Sequence, residues 1–312
     1  MTVARAGSLA GRRGRRQTAR SAEERAGLLF VTPWICALLV FTILPLLATF
    51  ALGFARYSAV DLPTFVGLEN YRDIYDDPAF WKAARNSALF AVCLVPIKLL
   101  LALGLAVLLN MGGRSTGIYR TIFYLPALVP VVAGSILFML LLTPGAGPVN
   151  IILEAIGLSP PDWLKDPTAA FWTLVIISLW PLGIETMIFL SGLKEIPSDV
   201  KDAATLDSDK PWHGFFWITL PLLTPMILFN LVIGIIGSFQ VFTQAIVIGG
   251  TTGRPSEATL MVMVMIYRAA FRYFNMGYAA ALSTLLFIAV LALTLMIFRT
   301  ARSWVYYEGE SR

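Results

Sequence analysis

Six stretches of about twenty residues, at 28–50, 87–109, 121–143, 170–190, 218–240 and 276–298, are almost unbroken by charge. The only charged side chains inside them are Lys98 in the second stretch and Glu185 in the fourth. A helix needs about 20 mostly apolar residues to cross the hydrocarbon of a bilayer. The stretches lack the period-two alternation of barrel strands, so the pattern predicts an all-α membrane protein with six transmembrane helices. Prolines at 33, 45, 96, 126, 130, 181, 221 and 225 fall within these stretches or beside them and predict bends.

Between the stretches the sequence is polar and uneven in charge. Fifteen Lys and Arg residues fall on the side that holds both termini and eight on the other, which places both termini in the cytoplasm. The tail GRRGRR then reads as a topology signal lying against anionic headgroups rather than as a nucleic-acid site. A cleaved signal peptide within residues 1–50 is a weaker alternative, because the apolar run is long and no A-x-A site follows it. Residues 147–158, GPVNIILEAIGL, have apolar positions at helical spacing and predict a helix at the membrane surface. The run ATLMVMVMIY, 258–267, is too short to span and predicts a re-entrant or interfacial segment after the turn GGTTGRP. The expected organisation is a basic tail at 1–26, a first transmembrane helix with an outer segment at 27–84, a membrane core at 85–299 and a cytoplasmic tail at 300–312.

Composition agrees. The chain is 57% hydrophobic and 14% charged, against about 25% charge in a soluble domain, with a net charge of +5. Its mean hydropathy is +0.74. Cys36 and Cys93 sit in apolar runs and read as small buried hydrophobes. A single histidine, His213, argues against a catalytic triad or a His-based metal site, and reads as solvated or interfacial. No nucleotide-binding glycine loop is present. No catalytic residue, metal ligand or cofactor is therefore expected in this chain.

One loop stands apart. DAATLDSDKPWHGFFWITLP, 202–221, carries four charges between two apolar stretches on the cytoplasmic side. Ser198 can cap a helix over SDVKDAATLD, and Ser208–Asp209 can end it and cap a second. Pro211 stands near the first turn of that second helix, where proline is tolerated. Two short helices joined rigidly to neighbouring spans can carry a push from a cytoplasmic partner into the membrane.

This loop resembles the EAA signature of permease subunits of binding-protein-dependent ABC importers. Asp202, Ala203 and Ala204 stand at the E-A-A positions, Ser208 at the glycine, and Ile218, Leu220 and Pro221 at the closing I-x-L-P, with the spacing intact. Asp keeps the acid's charge; Ser replaces a residue of freer backbone. The segments FVGLENYRDIYDDPAFWKAARNS, RTIFYLPALVP, IPSDVKDAA and GYAAALSTLLF are similar to the carbohydrate-importing, maltose-type branch, and GGTTGRP looks like a degraded form of its glycine-rich element. The resemblance covers residues 28–302. It implies a type I importer permease fold with a cytoplasmic coupling helix, in which Asp202, Ala203, Ala204, Asp207, Ser208, Ile218, Leu220 and Pro221 serve ATPase coupling. It also implies a second homologous permease, two ATP-binding cassette subunits that hold ATP and Mg, an extracytoplasmic solute-binding protein, and a place in the bacterial cytoplasmic membrane.

Charges within spans are costly and usually face the bundle interior or a wet cavity, so Lys98 and Glu185 are expected to share an environment, as a pair or as groups that bind solute. Sugars offer an apolar CH face and a rim of hydroxyls. Trp180 is a candidate platform, and Asn230, Ser238, Gln240 and Gln244 are candidate hydrogen-bonding groups; as an alternative, these polar residues only pack helices. A permease for another solute, glycerol phosphate or an amino acid, is the second reading. A secondary transporter is the third, and lacks the internal repeat it would need.

Overall fold

The computed structural model describes residues 27–113, 116–197, 199–200 and 211–306. It divides into two compact units, residues 1–52 and 53–312. In the first, helix α1 (Gly27–Leu52) is long and apolar enough to cross a membrane. A π-helical segment, Leu39–Ile43, interrupts it, with the Leu44 amide reaching back to Leu39 O. Pro45 follows at once. Its ring crowds the carbonyl four residues earlier, and a widened turn there relieves that crowding. Thr32 and Thr49 donate their hydroxyls to Leu28 O and Pro45 O, which satisfies them within the helix.

The second unit opens with a two-stranded antiparallel hairpin, β1 (Ala55–Arg56) and β2 (Thr64–Phe65), followed by α2 (Glu69–Asp76). Buried Asn70 donates to Gly53 O at 3.0 Å and Ala55 O at 2.9 Å. Gly277 lies against Ala55 O, so closely that a Cβ would collide with it. Helix α3 (Pro78–Met111) is continuous through Pro96 and starts on Asp77, whose Oδ1 caps the Ala79 amide.

Three further spans are bent pairs. Helices α4 (Thr116–Leu128) and α5 (Val131–Leu141) meet at 96°, α7 (Pro167–Leu179) and α8 (Gly183–Glu195) at 48°, and α9 (Trp212–Leu222) and α10 (Thr224–Phe239) at 63°. The last long helix, α13 (Met276–Trp304), is unbroken. The described residues therefore hold three continuous candidate spans, and six if each bent pair counts as one. The bend expected within 121–143 falls at Pro130, which lacks an amide hydrogen and separates α4 from α5. Helix α9 repeats the device of α1, with a π-helical segment at Phe215–Thr219 just before Pro221. A helix is present within 147–158, as expected, as α6 (Pro148–Ala155).

Helix α3 packs chiefly against α8 and α10. Ala102 and Ala106, one turn apart and fully buried, meet Phe189, Leu190 and Leu193 of α8. Alanine lets two helices approach closely where lipid supplies no hydrophobic drive between them. The larger core gathers Phe90, Leu174, Leu260, Met261, Val264 and Leu282.

The segment 241–273 forms α11 (Thr243–Gly249) and α12 (Val262–Tyr267), joined by residues 250–261, which begin with a 3-10 turn at Gly250–Thr252. Leu260, Met261 and Val264 are fully buried, so ATLMVMVMIY is a core plug within this unit rather than a segment spread on an interface. Polar side chains of α3 hold it in place. Asn86 donates to Glu257 O and Leu260 O, Ser87 Oγ accepts from the Val262 amide, and Lys82 pairs with Glu257 at 3.0 Å. Gly253 turns with φ +68° while touching Leu260 backbone, a position no side chain would fit.

Candidate functional site

A cavity of about 410 Å³ opens where α3, α8, α10 and the break between α10 and α11 converge. Two interruptions in helices build it. At the first, residues Trp180–Leu182 end α7, and α8 restarts with Glu185 in its first turn, where the positive end of the helix dipole favours a carboxylate. At the second, α10 stops at Phe239, and Gln240, Phe242, Thr243 and Gln244 face the cavity from the turn that follows. Helix breaks of this kind bring polar backbone and side chains into the bundle interior without exposing them to lipid.

Lys98 crosses from α3, and its Nζ lies 2.6 Å from Glu185 Oε1. The two side chains are 20% and 16% exposed. They are the only charged residues lining the cavity among the described residues. Three polar atoms of lining residues have no hydrogen-bond partner although buried: Glu185 Oε2, Asn230 Nδ2 and Ser178 Oγ. Asn230 and Ser178 are 2% and 5% exposed. Buried polar groups are nearly always paired, so an acceptor, a donor and a hydroxyl left unpaired among the lining residues mark a place prepared for a polar solute or water.

Six of the seven expected pathway residues line this cavity: Lys98, Glu185, Asn230, Ser238, Gln240 and Gln244. Ser238 Oγ is already engaged with Ile235 O at 2.9 Å. Trp180 is not part of the lining. It meets Phe138 edge-on at 5.5 Å between ring centroids and fills the space beside Gly134, so the bend aims it at α5. The aromatic rings at the cavity are instead Phe90 and Phe242. Ser178 escaped the sequence reading, because a serine in an apolar helix usually bonds its own backbone. Its proximity to the break at Pro181 is the signal that could have found it.

Of the coupling positions, Asp202, Ala203, Ala204, Asp207 and Ser208 lie outside the described residues. Ile218, Leu220 and Pro221 lie on α9, leading into α10. His213 stands exposed at the start of α9, its ring 5.9 Å from Trp217. Among the described residues no cluster of three His, Cys, Asp or Glu could hold a metal ion.

Residues 98–302 match the family described as "Binding-protein-dependent transport system inner membrane component". The chain belongs to this family. It is 37% identical over 290 residues to the probable ABC transporter permease protein YesP of Bacillus subtilis (strain 168), covering 91% of this chain and 93% of that protein. It is 35% identical over 285 residues to the lactose transport system permease protein LacF of Rhizobium radiobacter, covering 88% and 94%. A bacterial ABC transporter involved in the import of the acidic polysaccharide alginate shares the fold, with a TM-score of 0.76 over 91% of this chain and 98% of that one at 22% identity. The permease is thus a membrane-embedded transport component with an ABC transporter fold, not an enzyme.

Proposed function

We propose that this permease forms the membrane pathway for a sugar or oligosaccharide in an ATP-driven importer. The observation that carries the reading is a cavity whose lining holds Glu185, Asn230 and Ser178, each with a buried unpartnered polar atom, together with Phe90 and Phe242. A saccharide matches that lining, with hydroxyls that both donate and accept and with apolar CH faces for the rings. The name of the lactose relative supports the same class.

ATP and Mg are held by separate ATPase subunits, two of them, under a pair formed by this chain and a second homologous permease. A solute-binding protein delivers the sugar from outside the cytoplasmic membrane, and both termini lie in the cytoplasm. The loop carrying Asp202, Ala203, Ala204, Asp207 and Ser208, with Ile218, Leu220 and Pro221 at its exit, docks on the ATPase and passes its motion into α10. The family name supports the binding protein, and the spacing of the loop supports the docking. Glycerol phosphate fits the cavity less well, because its one lining cation is already paired with Glu185.

Deleting this chain in its native host and following labelled solutes tests the reading. Uptake of at least one saccharide should be lost, restored by the native chain, and not restored by a stably inserted Asn230→Leu variant. Loss of a non-saccharide solute with all saccharide uptake intact would refute it.

A further inference from the structure

The charge arrangement in the cavity goes beyond the class of solute. We propose that the Lys98–Glu185 pair makes this pathway selective for uncharged saccharides and against uronates. The proposal rests on the saccharide reading above. Two observations carry it: the 2.6 Å pair is the whole charge of the lining among the described residues, and Glu185 Oε2 is buried with no partner.

The cavity is neutral as it stands. A neutral sugar leaves it neutral, and a hydroxyl can donate to Glu185 Oε2 while another accepts from Asn230 Nδ2. A uronate carboxylate can only accept. It can take the Asn230 donor, and the hydroxyls of its sugar can still donate to Glu185 Oε2, but it adds a like charge to the same partly desolvated space. Nor can it draw Lys98 to itself at little cost. Doing so separates the ammonium from Glu185 and leaves two carboxylates to share one cation. The fold does not set this preference, since an importer of acidic polysaccharide shares it. The preference depends on Glu185 neutralising Lys98, 87 positions away, so that no free cation among the described lining residues draws an anion into the cavity.

The test is equilibrium binding to the full-length chain in lipid nanodiscs, with lactose, maltose and cellobiose as neutral probes and digalacturonate and dimannuronate as acidic ones. The native chain is expected to bind at least one neutral disaccharide at least tenfold more tightly than either diuronate. Glu185→Gln keeps the shape of the side chain and releases Lys98, so the neutral-to-acidic ratio should fall at least tenfold. The double variant Lys98→Met/Glu185→Gln removes both charges and should return the preference for neutral sugars. A native chain that prefers a diuronate, or a ratio that Glu185→Gln leaves unmoved, overturns the proposal while the saccharide reading stands. Should Glu185→Gln fail to fold, the native ratio and that of the double variant decide, and a double variant preferring diuronates overturns it. Binding of none of the five probes overturns the saccharide reading, and this proposal with it.

Discussion

Asn86 on α3 donates a hydrogen bond to the carbonyl of Leu260 at 3.1 Å, although 174 positions separate them. The same amide nitrogen reaches Glu257 O at 2.8 Å. The long helix therefore holds a glycine-rich turn and a buried plug that the linear sequence places near the far end of the chain. Asn86→Leu keeps the volume and strands two carbonyls. Leaving a buried acceptor unpaired costs about 1–3 kcal/mol. The expected outcome is a lowered thermal unfolding midpoint, with faster proteolysis between residues 250 and 258. An unchanged midpoint would mean that apolar packing alone holds the plug.

Lys98 and Glu185 should behave as a unit in stability as well as in binding. Removing one partner leaves a charge without compensation in low dielectric, at a cost of about 2–4 kcal/mol given the partial exposure of this pair. Removing both should cost less than the two single losses together. A double-mutant cycle with Lys98→Met and Glu185→Gln, read by thermal unfolding in nanodiscs, checks this. Strict additivity would show that the two side chains do not depend on each other.

The C-terminal end of α13 is tied to the entry of α10. The Tyr306 amide donates to Thr224 Oγ1 at 2.9 Å, and that hydroxyl donates in turn to Pro221 O at 2.6 Å. Val305, Ala301 and Leu228 bury one another beside it. Thr224→Val is nearly isosteric and removes both bonds, each worth about 1 kcal/mol. Hydrogen–deuterium exchange at the Tyr306 amide should rise severalfold while exchange in the middle of α3 stays constant. Equal exchange at Tyr306 in both proteins would show that the tail is held by Val305 alone.

The coupling loop is tested by size and charge. Ala203→Arg places a long cation where a helix is expected to lie close to the ATPase, and Asp202→Lys reverses the charge there. Both variants should insert in the membrane normally, yet fail to co-purify with the ATPase or to support hydrolysis stimulated by the loaded binding protein. Normal association and stimulation in both would reduce the loop to a connector.

That Lys98 and Glu185 share an environment was legible before any coordinates, because an isolated charge in a span is too costly to stand alone; that they pair directly was not. Six polar or charged cavity residues were legible for a related reason: in an uncharged helix few residues can do anything other than pack. Trp180 lies outside the cavity lining. Its closeness in sequence to Pro181 and Glu185 says nothing about which way the bend at 180–182 turns its ring, and the structure turns it to Phe138. Ser178 was missed on the same account, since its open hydroxyl is visible only once the wall around it is built.

The apolar stretches, their number and the polar loops between them are properties of composition over twenty residues, and the bilayer enforces them whatever the helices do next. The family signature in 202–221 is likewise a local spacing of residue types. The burial of 258–267 and the convergence of two helix breaks on one cavity are of another kind. They depend on which side chains meet across 80 to 175 positions, as Lys98 meets Glu185 and Ser87 meets Val262. Hydrophobicity counts residues along the chain, whereas packing and hydrogen bonding select among their faces, and that selection exists only in three dimensions.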